Sequence, residues 1–362
     1  MKPDLCSTSV TVSSTKLRKS IAGWYAISEE FAGAVLARYL PGRDLSALSS
    51  LQVLLDAFPS HRVQLEYAFS TNVRGRQLRD ALLEHGILIG PFASQNCLDV
   101  GCAYGGYLNA MRDLGFECCG IEISPALAQL GRLNASGGNL LVGDFLEFDF
   151  SSIAPRKGYD LIICNDVIEH VSDPAKCLSK ISSLLSATGV AYVETGNRHS
   201  MLNVMRDIHF QMYGLALLPH TSATAYYCKM SGSDRYEVGE FYDASWYINS
   251  VKRQTGYRAC VFPAPVTGES AVELMARLFA EHAQWKQHES HKVSVFLADE
   301  LESRFAQYSI ELCTAYAQSL QTGNWKEFAT VWIDPLIRFV IRRQPAGLDG
   351  DHKSGVAGAV AG

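Results

Sequence analysis

Acids and small residues stand at spacings that suit a nucleoside. Asn96 to Ser124 reads NCLDVGCAYGGYLNAMRDLGFECCGIEIS. An apolar strand, Cys97 to Val100, carries Asp99 near its tip and stops at Gly101. The turn Gly101, Cys102, Ala103, Tyr104, Gly105, Gly106 follows, then an amphipathic helix, then a second strand closing on Glu122 and Ile123. Small residues let the backbone approach a ligand closely. A helix N-terminus offers N–H groups and a positive dipole end to an anion. A carboxylate at the tip of the second strand can accept both hydroxyls of a ribose. The expected ligand is a nucleoside with an anionic group nearby. Further along stand Asp144 and Phe145, then Asn165, Asp166, Glu169 and His170, and later His209. An imidazole titrating near neutrality suits a general base. Two carboxylates with an imidazole also suit a hard or borderline cation.

Elements must bring these groups together, and the sequence spells them out. Leu140 to Val142 is a short apolar strand ahead of Gly143 and Asp144. Tyr159 to Asn165, YDLIICN, is another, and it leads into Asp166-Val-Ile-Glu169-His170. The next helix opens with Asp173-Pro174, carries an apolar stripe (Ala175, Leu178, Ile181, Leu184, Leu185) and closes near Gly189. Val190 to Glu194 is the next strand. Strands alternating with helices at this spacing predict an α/β fold with a doubly wound, mostly parallel sheet.

A dinucleotide fingerprint needs glycine where Ala103 stands. The pattern D-x-G-x-A-x-G instead resembles motif I of the class I S-adenosylmethionine-dependent methyltransferases of the small-molecule type. The succession from Gly143-Asp144-Phe145 through YDLIICNDVIEHV to Leu185-x-x-x-Gly189-Val-Ala-Tyr-Val resembles that family's later motifs. The resemblance covers about residues 93–265. It implies a seven-stranded Rossmann-like core and S-adenosylmethionine as methyl donor. It also implies roles. Gly101, Cys102, Ala103 and Gly105 would line the methionine end, with Asp99 on its ammonium. Glu122 would hold the ribose and Ile123 would pack on the adenine. Asp144 would accept from the adenine amino group, Phe145 would donate its backbone N–H, and Asn165 would face the ammonium or the methyl. Plainer roles stand beside these: Asp144 as a turn residue, Asp99 as a helix-cap partner.

Methyl transfer needs alignment behind the methyl and, for a hydroxyl acceptor, removal of a proton. His209 and His170 are the candidate catalytic bases; structural roles are the alternatives. The D-x-x-E-H run is similar to the E-x-x-E-H of ubiquinone-biosynthesis O-methyltransferases and small-RNA 2′-O-methyltransferases, which hold a divalent ion on acceptor oxygens. Here the first acid is the shorter Asp166, with His209 or His199 available to complete a shell. The reading carried forward has no metal, with the divalent ion as its alternative.

Outside the core, residues 1–92 are expected to form a helical cap, with helices at Ile27 to Leu40, Leu45 to Phe58 and Gln64 to Gly86. Arg74 in that cap could clamp the methionine carboxylate. The core is assigned to residues 93–268, including an acceptor segment, 195–240, with few regular signals and many aromatics (among them Phe210, Tyr213, Tyr226, Tyr227, Tyr236). A helix at Phe241 to Thr255 and a sixth strand at Arg258 to Pro263 follow. Residues 269–343 should add two helices, Glu269 to Gln287 and Val293 to Leu320, as a lid or dimer surface before Ile337 to Arg342 returns as strand seven. The alternative is a C-terminal helical appendage. The second helix shows Val293, Phe296, Leu297, Leu301, Phe305, Tyr308, Leu312 and Ala315 on one stripe. The Gly/Ala-rich tail, 344–362, should be disordered.

Composition sets limits. The 362 residues are 48% hydrophobic and 19% charged with net charge −5, as in a soluble globular protein. No basic run offers phosphate contacts, so nucleic acid is not an expected partner. No stretch is long enough to span a bilayer, and the N-terminal residues lack a signal's apolar core. Ten cysteines without a C-x-x-C pair read as reduced thiols of a cytoplasmic protein, several of them (Cys97, Cys118, Cys164, Cys260) in core strands. The expected function is methylation of a small-molecule hydroxyl, on a sugar or secondary metabolite, with a homodimer as the candidate assembly. Alternatives are an N- or C-methyltransferase of a natural product, where an aromatic cage would matter more than a base, and a non-catalytic S-adenosylmethionine-binding assembly partner.

Overall fold

The computed structural model describes residues 15–135, 139–254, 256–262 and 270–344. The tail from Pro345, the end of strand six at Pro263 and the start of the next helix at Glu269 lie outside the described residues. Among the described residues five α-helices precede the sheet: α1 (Thr15–Tyr25), α2 (Glu29–Tyr39), α3 (Leu51–Ala57), α4 (Arg62–Phe69) and α5 (Thr71–Glu84). Then come β1 (Asn96–Val100), α6 (Gly106–Arg112), β2 (Glu117–Glu122), α7 (Pro125–Asn134), β3 (Asn139–Val142), β4 (Tyr159–Asn165), α8 (Pro174–Leu184) and β5 (Leu185–Gly196). The chain continues through α9 (Met201–Met205), α10 (His220–Ser231), α11 (Ala244–Lys252), β6 (Tyr257–Val261), α12 (Ala271–His288), α13 (Val295–Thr322), α14 (Trp325–Phe328) and β7 (Leu336–Arg343).

The strands form one sheet of seven in the order β3-β2-β1-β4-β5-β7-β6. The first five pair in parallel; β7 runs antiparallel between β5 and β6. The order reverses between β1 and β4, the switch point at which open α/β sheets bind ligands beyond their strand ends. The glycine turn follows β1 and the acid–histidine run follows β4, so topology alone brings the two motifs together. The long connection between β6 and β7 carries α12 and α13, so strand seven arrives only after a helical insertion, and the C-terminal region is not a purely helical appendage. Alternation explains β7: Ile337, Phe339 and Ile341 are buried while their neighbours are half-buried.

Capping fixes the helix starts. Ser124 accepts from Leu127 N–H with Pro125 in the first turn of α7, and Asp173 does the same for Lys176 ahead of Pro174 in α8. Elsewhere the sequence expectations shift. Helix α3 begins only at Leu51, because Ser50 accepts from Val53 N–H there and residues 45–50 turn instead. Helix α8 passes directly into β5 at Leu185, without a loop reaching Gly189. The expected irregular segment 195–240 holds α9 and α10. Phe296 points outward, 74% exposed, although Leu297, Leu301, Phe305, Tyr308 and Leu312 of its stripe are buried. Cys97 and Cys164 are buried free thiols, but Cys260 on the edge strand β6 is exposed.

Two apolar clusters matter for the site. One underlies the sheet with Ile162, Cys164, Ile181 and Phe339. The other joins α9, α10, α12 and α13 through Tyr226, Leu278, Trp285, Leu301 and Phe305. Asn197, just past β5, ties the two regions: its amide donates to the carbonyls of Val331 and Asp334 at 3.0 and 2.8 Å. Among the described residues no helix is long and apolar enough to cross a membrane.

Candidate active site

The turn after β1 is built for close approach. Gly101 and Gly105 have φ of 66° and 71°, and Ala103 reaches 39°, a region that costs non-glycine residues strain. A Cβ on Gly101 would stand 2.4 Å from Val167 Cγ2, so the turn can lie against the loop after β4 only as glycine. Glu122 fastens the turn: Oε2 accepts from Ala103 N–H at 3.0 Å and Oε1 from Ser124 N–H at 2.8 Å. Each oxygen keeps a further lone pair for a hydroxyl donor. Ile123 beside it is 66% exposed, an apolar face at the strand end. Cys102 is buried, and a Cβ on Gly120 would stand 2.6 Å from its Sγ, which makes it a filler between turn and β2.

Asp99 is 1% exposed, and its Oδ2 has no hydrogen-bond partner. Burial, then Cys118 and Glu122, push its carboxyl well above the usual carboxylate range. Asp144 Oδ1 accepts from Leu146 N–H at 2.8 Å, so the residue does form a turn, and the Phe145 ring is buried on Phe150. Asn165 stands at the end of β4, in register with Glu194. Arg74 is turned to its own cap: Nη2 donates to the Tyr67 carbonyl at 2.9 Å and the guanidinium lies 3.6 Å from the Tyr67 ring centroid. Its Nε is buried without a partner.

The groups after β4 converge. Asp166, Glu169, His170 and His209 each offer a ligand atom, and these atoms lie within 4.8 Å of one another. Asp166 has φ 58°, a left-handed turn that asparagine and aspartate tolerate best among residues with a Cβ. His209 Nε2 is 3.6 Å from Asp166 Oδ1 and 3.9 Å from Glu169 Oε1, close for an ion pair but long for a hydrogen bond. Both Glu169 oxygens and both His209 ring nitrogens are buried without partners. His199, the other candidate for a fourth ligand, is not in the group; its ring sits 5.8 Å from Trp332.

Electrostatics follow from this crowding. Burial, then the neighbouring Asp166, raises the Glu169 carboxyl to about 8. Burial disfavours the His209 imidazolium, yet Asp166 and Glu169 outweigh it and its pKa rises. Burial also works against the Asp166 carboxylate, but His209 outweighs it and its pKa falls. His170 is lowered, by burial first. Its Nδ1 meets the Glu237 carbonyl at 3.1 Å; a carbonyl only accepts, so Nδ1 holds the proton and Nε2 keeps the lone pair.

Sequence reasoning missed the groups that set this cluster. The segment around Gly239 clamps it: Gly239 N–H donates to the Glu169 carbonyl at 2.7 Å. Thr195, at the end of β5, is buried with a hydroxyl that has no hydrogen-bond partner, and burial first, then Glu169, raises the Tyr247 phenol. Tyr67 sends its phenol from the cap to Asp166. Beyond His209, Phe210, Tyr227 and Tyr236, aromatics the sequence did mark, have rings 4.2 to 5.4 Å apart and form an aromatic wall.

Parts of the chain are similar to known methyltransferases. A family model described as a methyltransferase domain matches residues 69–312. Among curated relatives, the ubiquinone biosynthesis O-methyltransferase of Albidiferax ferrireducens is 34% identical over 145 residues, 39% of this chain and 55% of that protein. The protein of the same name from Rhodopseudomonas palustris is 32% identical over 102 residues, 28% of this chain and 40% of that protein. The chain thus spans about half the length of the curated relatives it matches. A solved S-adenosylmethionine-dependent methyltransferase from Archaeoglobus fulgidus superposes with a TM-score of 0.41 at 12% identity, over 75% of this chain and 94% of that one. The sheet order, the glycine turn with its strand-tip acids and the family match over most of the chain agree: the protein belongs to the methyltransferase-domain family, the class I S-adenosylmethionine-dependent methyltransferases.

Proposed function

We propose that the chain moves the methyl group of S-adenosylmethionine to an oxygen of a small acceptor presenting two neighbouring oxygens. In this reading Asp166, Glu169, His170 and His209 hold a divalent cation at the acceptor. The carrying observation is the convergence of those four side chains within 4.8 Å, with buried and partnerless atoms on Glu169 and His209. Native proteins rarely leave such atoms unmatched, and two carboxylates with two imidazoles fit a hard or borderline divalent ion. Bound there, the ion would draw acceptor oxygens to it and lower the pKa of a hydroxyl.

The chain's own residues do the remaining work. Glu122 takes the ribose hydroxyls, Ile123 covers the adenine, and Asp144 with the Phe145 N–H recognises its edge. The turn of Gly101, Cys102, Ala103 and Gly105 lines the methionine end, and Asp99 and Asn165 take its ammonium. Alignment of oxygen, methyl carbon and sulfur supplies much of the rate. Phe210, Tyr227 and Tyr236 wall the apolar body of the acceptor. The names of the curated relatives support oxygen as the methylated atom. A sugar diol or a catechol of secondary metabolism meets these demands.

One observation favours a second reading. His209 sits 3.6 Å from Asp166 with a raised pKa, an arrangement that makes an imidazole a general base without any cation. An assay separates the two: methyl transfer to catechol and sugar-diol probes with and without EDTA. The cation reading expects turnover that EDTA abolishes and Mg²⁺ or Mn²⁺ restores. Turnover indifferent to EDTA would leave the His209 base.

A further inference from the structure

We infer that Tyr67, delivered by the N-terminal cap, is a positioning residue of the methyl-transfer site: its phenol braces Asp166 and its ring bridges the cofactor turn and the four-residue cluster. The inference rests on the cluster being a cation site. Tyr67 lies in the last turn of α4. Its hydroxyl faces Asp166 Oδ2 at 3.5 Å, the outer limit of a hydrogen bond, across 99 positions of sequence. Its ring meets Tyr104 of the glycine turn edge-on, with centroids 6.2 Å apart. It therefore stands between the glycine turn and the four-residue cluster.

The residue is held from two sides. The Arg74 guanidinium covers the ring face at 3.6 Å, and the same side chain donates to the Tyr67 carbonyl at 2.9 Å. Helix α5, which carries Arg74, is fixed against α6: Gly75 faces the Gly106 carbonyl so closely that a Cβ would stand 2.3 Å from it. Asn72 of α5 adds reciprocal amide bonds with Asn134 at 2.9 and 3.2 Å. Tyr67 thus reaches the cluster from a rigid base.

The two oxygens of Asp166 have separate partners. Oδ1 lies toward His209, and Oδ2 takes the phenol. Tyr67 thereby sets the rotation of the carboxylate and turns Oδ1 toward the other ligands. Partners outside the ligand shell do this for metal carboxylates, and their loss costs roughly 10–100-fold in affinity. Packing alone does not account for the polar end: the phenol faces a carboxylate, whereas Leu65, Ala68 and Phe69 of the same helix are buried in the apolar core of the cap.

The test is Mn²⁺ binding followed by electron paramagnetic resonance in the presence of S-adenosylhomocysteine, on the wild type, Tyr67→Phe and Tyr67→Ala. Thermal melts confirm folding. Tyr67→Phe keeps the ring, so it should weaken Mn²⁺ about 10-fold and leave the affinity for S-adenosylhomocysteine within about twofold. Tyr67→Ala should weaken both. Wild-type Mn²⁺ affinity in Tyr67→Phe would overturn the inference alone, and so would an equal loss of both ligands in that variant. A wild type that takes up no Mn²⁺ would overturn the cation site and this inference with it.

Discussion

Asp99 and Glu169 show what the residues sacrifice for the site. Each is a carboxyl that burial pushes above its ordinary range, and each keeps oxygens without partners. A carboxyl whose folded pKa is raised binds protons more readily when folded, so stability falls as pH rises above the unfolded value, about 3.9 for Asp99 and about 4.3 for Glu169. Asp99→Asn should therefore raise the melting temperature of the ligand-free protein at pH 7, with the gain shrinking toward pH 4. The same change should weaken S-adenosylhomocysteine at least about 10-fold, the charge-assisted bond to the ammonium being lost. Calorimetric titration beside the pH series of melts checks both. Glu169→Gln should lower methyl transfer at least about 10-fold while leaving that cofactor affinity intact. Asp99, Glu122, Glu169 and His170 were legible because each sits within a few residues of a strand end. Tyr67, Thr195 and Gly239 were not, since their roles depend on approaches between distant elements that no local spacing encodes. His209 lies between these cases: its segment marked it, but only the fold set it beside Asp166 rather than His199.

At the scale of elements, the junction of α5 and α6 governs where the cofactor turn begins. Alanine at Gly75 would gain up to about 1 kcal/mol of helix propensity, but its methyl would meet the Gly106 carbonyl at 2.3 Å. Backbone cannot rotate away as a side chain can, so we expect a net loss of about 1–3 kcal/mol in urea unfolding. Weaker S-adenosylhomocysteine binding should accompany it, because α6 carries the turn. The strands were readable throughout: apolar runs of β1 and β4 signal burial on both faces, and the alternation of β7 signals one good face. Helix α10 was not, because it buries only Ala223 and Tyr226 and presents no continuous stripe. Helix α9 has five residues, too few for periodicity to register.

The whole molecule joins a sheet that holds the cofactor to a helical insertion that carries its own apolar core. The seam is polar and specific: Asn197 bonds to carbonyls ahead of β7, and Tyr308 of α13 donates to the His199 carbonyl at 2.9 Å. Ligands that bind the folded chain alone must stabilise it. S-adenosylhomocysteine at a hundredfold excess over its Kd should add about 2.7 kcal/mol, and Mn²⁺ should add a further increment that Glu169→Gln removes; melts at fixed protein concentration read both. The central claim joins cofactor and cation in one cleft, and crystals grown with S-adenosylhomocysteine and soaked in Mn²⁺ test it most directly. The account predicts an anomalous scattering peak bounded by Asp166, Glu169, His170 and His209, with the nucleoside ribose on Glu122. A filled nucleoside site with no peak among those four side chains would contradict it.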